Sequence, residues 1–295
     1  MFKGSIAALP TPFRGGEVDE RALQELARWN IDKGTDGLIV LGTTGEAPTM
    51  SDEEHLRVIR LVTEAAAKRI PIMAGTGTNS TQKAIEYTEA AKSAGADAAL
   101  IVTPYYNKPG QEGLYRHYKA VNDAVDFPII IYNIPSRSVV DMSVDIVVRL
   151  ARLRNVIGIK ESNPDLKRPV QLRIALGDDF CLLSGDEPTG LGWMASGGTG
   201  VTSATANILP ATLAAMHKAW GKGEVKHALE LHKQAMPVHL AMYCETNPVP
   251  LKYMLSLMGK CSPDVRLPMW ELSEASKAIC RRALETCGVL LAEAA

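Results

Sequence analysis

A lysine close to the end of an apolar run is the residue in this chain best suited to covalent chemistry. Lys160 lies in "VIGIKES" (156–162), which otherwise reads as a buried β-strand. Burying an ammonium without a partner costs several kcal/mol, and most strands of this kind avoid it. Desolvation favours the neutral amine, the form that attacks a carbonyl and closes a Schiff base. Side chains alternate along a strand, so Gly158, Lys160 and Ser162 share one face and Ile157, Ile159 and Glu161 the other. With the first face inward, Gly158 leaves space beneath Lys160, whose amine rises toward solvent. A lone strand lysine ordinarily snorkels out instead. The surrounding elements decide between the two.

Those elements are periodic. Candidate strands are "SIAAL" (5–9), "GLIVLG" (37–42), "PIMAG" (71–75), "AALIVTP" (98–104), "PIIIYN" (128–133), "VIGIKES", "FCLLSGD" (180–186) and "GTGVTSA" (198–204). Amphipathic helical patterns lie between them, such as residues 19–34, with Ala22, Leu23, Leu26, Ala27 and Trp29 on one side. Asp19, Ser51 with Glu54, and Ser80 are helix-opening caps, and Gly34 and Gly95 are C-terminal glycines. Eight strand–helix repeats predict an α/β fold, a closed (β/α)8 TIM barrel, over residues 1–222. After residue 222 the alternation stops. Residues 224–243, 250–259 and 269–291 read as helices, so residues 223–295 form a small C-terminal all-helical appendage.

The 295 residues carry a net charge of −1, which offers no field for nucleic acid or an anionic membrane. No apolar run approaches a membrane span, and "MFKGSIAALP" is not a signal peptide. Cys181, Cys244, Cys261, Cys280 and Cys287 are scattered, as expected of free thiols in a reducing cytoplasm.

In such a barrel the active site forms where strands end. The strand ends here supply Thr11, "GTTGE" (42–46), "GTGTNS" (75–80), "TPYYN" (103–107), "YNIPSR" (132–137), "KES" (160–162), "SGDE" (184–187) and "TSAT" (202–205). Lys160 thus belongs to a polar rim, which favours the Schiff-base role. "GGTGV" (197–201) lacks the lysine of a phosphate loop and precedes a strand. The six histidines (His55, His117, His217, His227, His232, His239) fall in helical segments, and no metal-ligand cluster is visible. The lysine route needs no metal and no cofactor.

"GTTGE", "TPYYN", "YNIPSR", "GIKES" and "GGTGVTS", in this order and spacing, resemble the pyruvate-dependent class I aldolase family that includes N-acetylneuraminate lyase. The resemblance runs through "ETNPVPLKYML" (245–255) and covers essentially the whole chain. It is strongest to the branch that condenses pyruvate with L-aspartate 4-semialdehyde to 4-hydroxy-tetrahydrodipicolinate, in lysine (diaminopimelate) biosynthesis. By resemblance, Lys160 forms the imine with pyruvate and the derived enamine attacks the aldehyde. Gly42 and Gly45 alone would make Thr43 and Thr44 part of a simple turn; the resemblance implies that the two threonines hold the pyruvate carboxylate. Tyr132, Thr44 and Tyr106 form a proton relay, with Tyr106 supplied by a neighbouring subunit of a homotetramer, a dimer of dimers. Gly185 and the backbone of Thr202 line the pyruvate pocket. Arg137 binds the carboxylate of the semialdehyde, a task that suits a planar guanidinium.

The resemblance also implies a lysine effector site, at Ala47, Pro48, Asp52, His55, Asn79, Lys83 and Tyr105. Lys83 stands where lysine-sensitive relatives carry glutamate, and Asp52 where many carry histidine, so this site is expected to be degenerate. "KESNPD" (160–165) replaces the more common Lys-Glu/Asp-Ala-Thr-Gly and is expected to shape the second-substrate side. Two other readings compete: an aldolase of the same family acting on a sugar-derived 2-keto acid, and a non-catalytic metabolite-binding barrel. Arg137 opposes the first. The joint presence of Lys160, Tyr132, Tyr106 and Thr44 opposes the second.

Overall fold

The structure, a computed structural model, describes residues 2–289. Eight parallel strands close a barrel: β1 (Gly4–Ala8), β4 (Gly37–Val40), β5 (Ile72–Gly75), β6 (Ala98–Val102), β7 (Ile129–Asn133), β8 (Val156–Glu161), β9 (Cys181–Ser184) and β10 (Gly200–Ser203). A two-stranded hairpin, β2 (Phe13–Arg14) with β3 (Glu17–Val18), follows the first strand. The expected barrel is therefore present, with helices between its strands. The hairpin is an addition, made of strands too short to leave a periodic signal.

The chain divides into two compact units, one of residues 71–202 with residues 2–3, the other of residues 4–70 with residues 203–289. In the first, β6 and β7 pair from Ala99↔Ile129 to Val102↔Tyr132, and β7 and β8 from Ile130↔Gly158 to Asn133↔Glu161. These strands are buried on both faces, which is why they read as continuous apolar runs. Gly158 serves a different purpose from the one expected. A Cβ there would lie 2.5 Å from Cys181 Cβ and 2.6 Å from Cys181 O, so the glycine lets β8 and β9 approach.

In the second unit the caps form as expected. Asp19 accepts from Ala22 N–H, and Ser51 and Glu54 complete a capping box on helix Asp52–Ala66. Gly34 adopts φ +95 at a helix C-terminus, as Gly95 does with φ +88 in the first unit. The expected tail helices occur at Val225–Ala241, Val249–Leu257 and Glu274–Thr286. The last is shorter than the pattern suggested. Ser273 stops it at the N-terminal side by accepting from Ser276 N–H, while its own N–H and hydroxyl donate to Glu245. Residues 290 and 291, expected to continue that helix, lie outside the described residues.

Candidate active site

Strand pairing in the first unit sets Tyr132 of β7 directly beside Lys160 of β8. Both side chains are buried, and Lys160 Nζ sits 4.1 Å from the centroid of the Tyr132 ring. A ring face stabilises a nearby ammonium while its edge carries a phenol able to exchange protons. On the other flank, the end of β9 brings Gly185 against Lys160. A Cβ on Gly185 would lie 3.0 Å from Lys160 Cε and 2.0 Å from Ser162 Oγ, so only glycine fits. The backbone there is fixed by Gly185 N–H donating to Glu161 O at 2.7 Å. The Thr202 hydroxyl donates to Ser184 O at 2.9 Å, tying β10 to the same edge.

Glu161 points the opposite way, as strand alternation requires, and is fully buried. Arg168 meets its carboxylate at 2.9 Å, and Asn133 Nδ2 and Asn163 N–H each donate to it at 2.9 Å. Burial pushes the Glu161 carboxyl up, and the Arg168 guanidinium opposes that shift. This cluster anchors the rim of β8 from behind. It also accounts for the unusual "SNPD" segment. Asn163 Oδ1 accepts from Asp165 N–H and Asp165 Oδ1 from Lys167 N–H, each at 3.0 Å, leading the chain into helix Lys167–Leu176.

In the second unit, β4 ends in a tight 3-10 turn at Thr43–Gly45, followed by Glu46 in a left-handed conformation with φ 55. The Thr11 hydroxyl donates to Gly45 O at 2.7 Å. Thr44 is buried, and its Oγ1 accepts from Asn247 Nδ2 at 3.0 Å. Since that oxygen accepts from the amide, its own proton is left to donate onward. Beside it, Glu46 pairs with Lys252 Nζ at 2.5 Å, deep in the unit, and accepts from Arg266 N–H at 3.0 Å. Lys252 donates to Asp264 O and lies over the Phe13 ring, which Arg266 also covers. Burial lowers the Lys252 ammonium's affinity for its proton, and the Glu46 carboxylate counters this.

A family model described as the dihydrodipicolinate synthetase family matches residues 1–287. The chain belongs to this family. A 4-hydroxy-tetrahydrodipicolinate synthase of Rhodospirillum centenum is 53% identical over 290 residues, covering 98% of this chain and 100% of the relative. The crystal structure of dihydrodipicolinate synthase from Aquifex aeolicus matches with a TM-score of 0.96 at 44% identity, over 98% of this chain and 99% of that one. The chloride-inhibited dihydrodipicolinate synthase of Acinetobacter baumannii, solved in complex with pyruvate, gives 0.96 at 45%, over 98% and 100%.

Within the dihydrodipicolinate synthetase framework the remaining predicted residues distribute unevenly. Lys160, Tyr132, Gly185 and Thr202 gather on neighbouring strand ends, and Thr43 and Thr44 occupy one turn. Tyr106 is 89% exposed with φ +67, so it does not pack among the Lys160 and Tyr132 side chains of its own chain. Arg137 is exposed on the single-turn helix Pro135–Ser138. Of the effector-site positions, His55 Nε2 lies 2.9 Å from Ala47 O, next to Pro48, and Asp52 opens the helix below them. Asn79 O accepts from Asn107 at 2.9 Å, two residues beyond Tyr105. Lys83 pairs with Glu86 at 3.3 Å in the first turn of helix Thr81–Ser93.

Burial pushes the His117 and His217 imidazoles down to about 4, and burial with the neighbouring His232 pushes His239 down to about 3, which favours their neutral forms. His117 meets the Thr81 hydroxyl and His239 that of Thr205. Among the described residues no three His, Cys, Asp or Glu side chains converge on one point. Sequence reasoning missed Asn247, Lys252 and the Glu161–Arg168 pair. The signal available for the first two was their place in "TNPVPLKY", a stretch matched to the family without a role attached.

Proposed function

We propose that this chain is a lyase that condenses pyruvate with L-aspartate 4-semialdehyde to 4-hydroxy-tetrahydrodipicolinate, in lysine biosynthesis. The observation that carries this reading is a buried lysine at a barrel strand end, its amine over the ring of a buried tyrosine. Lys160 attacks the keto carbon of pyruvate, and the keto oxygen leaves as water. Loss of a methyl proton from the imine gives the enamine, whose carbon bonds the aldehyde carbon of the second substrate. Thr43 and Thr44 hold the pyruvate carboxylate through a turn rich in N–H groups and hydroxyls. Tyr132, Thr44 and Tyr106 relay the protons, a contribution typically worth roughly 10²–10⁴ in rate.

The exposure of Tyr106 supports a role across a subunit interface, in a homotetramer built as a dimer of dimers. Residues 1–222 are the catalytic barrel and residues 223–295 its helical appendage. No described helix is long and apolar enough to cross a membrane, and the biosynthetic role suits the cytoplasm. Trapping tests the reading: borohydride with pyruvate is expected to add one adduct per chain, at Lys160. An adduct elsewhere, or EDTA-sensitive turnover with no adduct, rejects the covalent mechanism.

Arg137→Ala is expected to raise KM for aspartate semialdehyde while leaving adduct formation with pyruvate nearly intact. Losing a charge-assisted pair costs roughly 1.5–3 kcal/mol, about ten- to a hundred-fold. Steady-state kinetics with each substrate varied separates the two; an unchanged KM for the aldehyde makes Arg137 a surface residue.

Regulation by lysine is expected to be weak or absent. Lys83 puts a cation where lysine-sensitive relatives have an anion, and Glu86 offsets only part of it. At about 4 Å and an effective dielectric near 20, such a charge is worth up to ~4 kcal/mol before screening. A fraction of that raises the inhibition constant tenfold or more. Titrating lysine into the assay should show little effect at about 1 mM, and half-inhibition far below that refutes the charge argument. Lys83→Glu should then move the enzyme toward inhibition.

A further inference from the structure

At the rim of β8 one polar atom lacks a role in the reaction as described. Ser162 Oγ is shielded from solvent and has no hydrogen-bond partner among the described residues. A buried hydroxyl left unpaired is unfavourable and calls for a physical reason. Its placement is well defined. The Ser162 N–H donates to Asn133 O at 2.9 Å, carrying the β7–β8 pairing one residue past the strand. On either side the chain is anchored by Glu161 and by Asn163 N–H on the Glu161 carboxylate. Ser162 follows Lys160 by two residues, so both lie on one face. Their side chains meet over the bare Cα of Gly185: a Cβ there would be 2.0 Å from Ser162 Oγ and 3.0 Å from Lys160 Cε.

We propose that Ser162 binds the pyruvate adduct, its hydroxyl oxygen accepting the N–H of the protonated imine on Lys160. The proposal rests on the Schiff-base reading of Lys160. In the condensation the amine nitrogen bonds the keto carbon, and its two hydrogens leave with the keto oxygen as water. The imine nitrogen then takes one proton from solvent and becomes a cationic donor adjacent to Cε. The free Lys160 amine also carries N–H groups, but in the structure none of them reaches Ser162 Oγ. The planar imine holds a single N–H in a fixed direction, beside a buried hydroxyl that has no other partner among the described residues. An interaction made in the adduct but absent from the free enzyme draws the equilibrium toward the adduct.

The test compares wild type with Ser162→Ala and Ser162→Cys, the latter keeping the volume with a much weaker acceptor. The readout is the pyruvate concentration giving half-maximal borohydride trapping at Lys160, by intact mass. Both variants should need about five- to ten-fold more pyruvate. Their thermal midpoints should not fall, since no native hydrogen bond is removed. Half-saturation within about twofold of wild type in Ser162→Ala, or a Ser162→Cys variant that matches wild type, overturns the proposal. Wild type that traps normally alongside unchanged variants rejects the role of Ser162 alone. Wild type that traps no adduct at Lys160 removes the Schiff-base reading, and this proposal with it.

Discussion

Arginine in place of Lys160 is expected to leave a folded protein with turnover lowered by roughly 10⁴-fold or more, the scale seen when a covalent nucleophile is removed. Guanidinium stays protonated and forms no imine, so the loss is chemical. Loss of borohydride trapping together with an unchanged circular-dichroism spectrum would establish the point. Retention of more than about a hundredth of wild-type turnover would show that Lys160 positions substrate without bonding to it.

Lys252→Ala is the substitution expected to cost most in stability. Lys252 is fully buried and Glu46 nearly so, and truncating one partner strands the other's charge inside the protein. Breaking a buried pair in this way costs about 3–5 kcal/mol, and the Phe13 ring loses one of the two cations covering it. The thermal midpoint should fall by roughly 10 °C. Adding Glu46→Gln to Lys252→Met should recover part of the loss, since neither charge is then left uncompensated. A single variant within about 1 kcal/mol of wild type would mean that solvent reaches Glu46 after all.

What was legible in the sequence was mostly local. The runs "AALIVTP" and "PIIIYN" are strands because β-branched residues pack on both faces of a parallel sheet, and both appear where periodicity put them. Lys160 was conspicuous because charge is rare in such a run. Its Tyr132 neighbour required only the register of adjacent strands. Lys252 had no comparable signal. It lies between Leu251 and Tyr253 on a short helix, and its partner Glu46 is some two hundred residues earlier, so spacing could not connect them. Asn247 and Thr44 are separated by a similar distance. Gly158 was misjudged for a related reason: what it clears is a neighbouring strand, and its own strand gives no hint of that. The early start expected for the last helix failed because Ser273 can cap or continue a helix, and Glu245 decides which.

The ties between the threonine turn and the tail bear on the order in which the chain is made. Thr44 is oriented by Asn247, Glu46 is neutralised by Lys252, and Arg266 clasps Glu46, Thr49, Glu54 and Gly16. Ribosomes deliver these partners last, more than two hundred residues after the turn itself. A nascent chain that has just finished its eighth barrel strand therefore holds Lys160 but lacks the clamp on Thr44. On the roles proposed above for Lys160 and Thr44, a chain lacking its closing helices is expected to carry the amine without an oriented Thr44 and to be inactive.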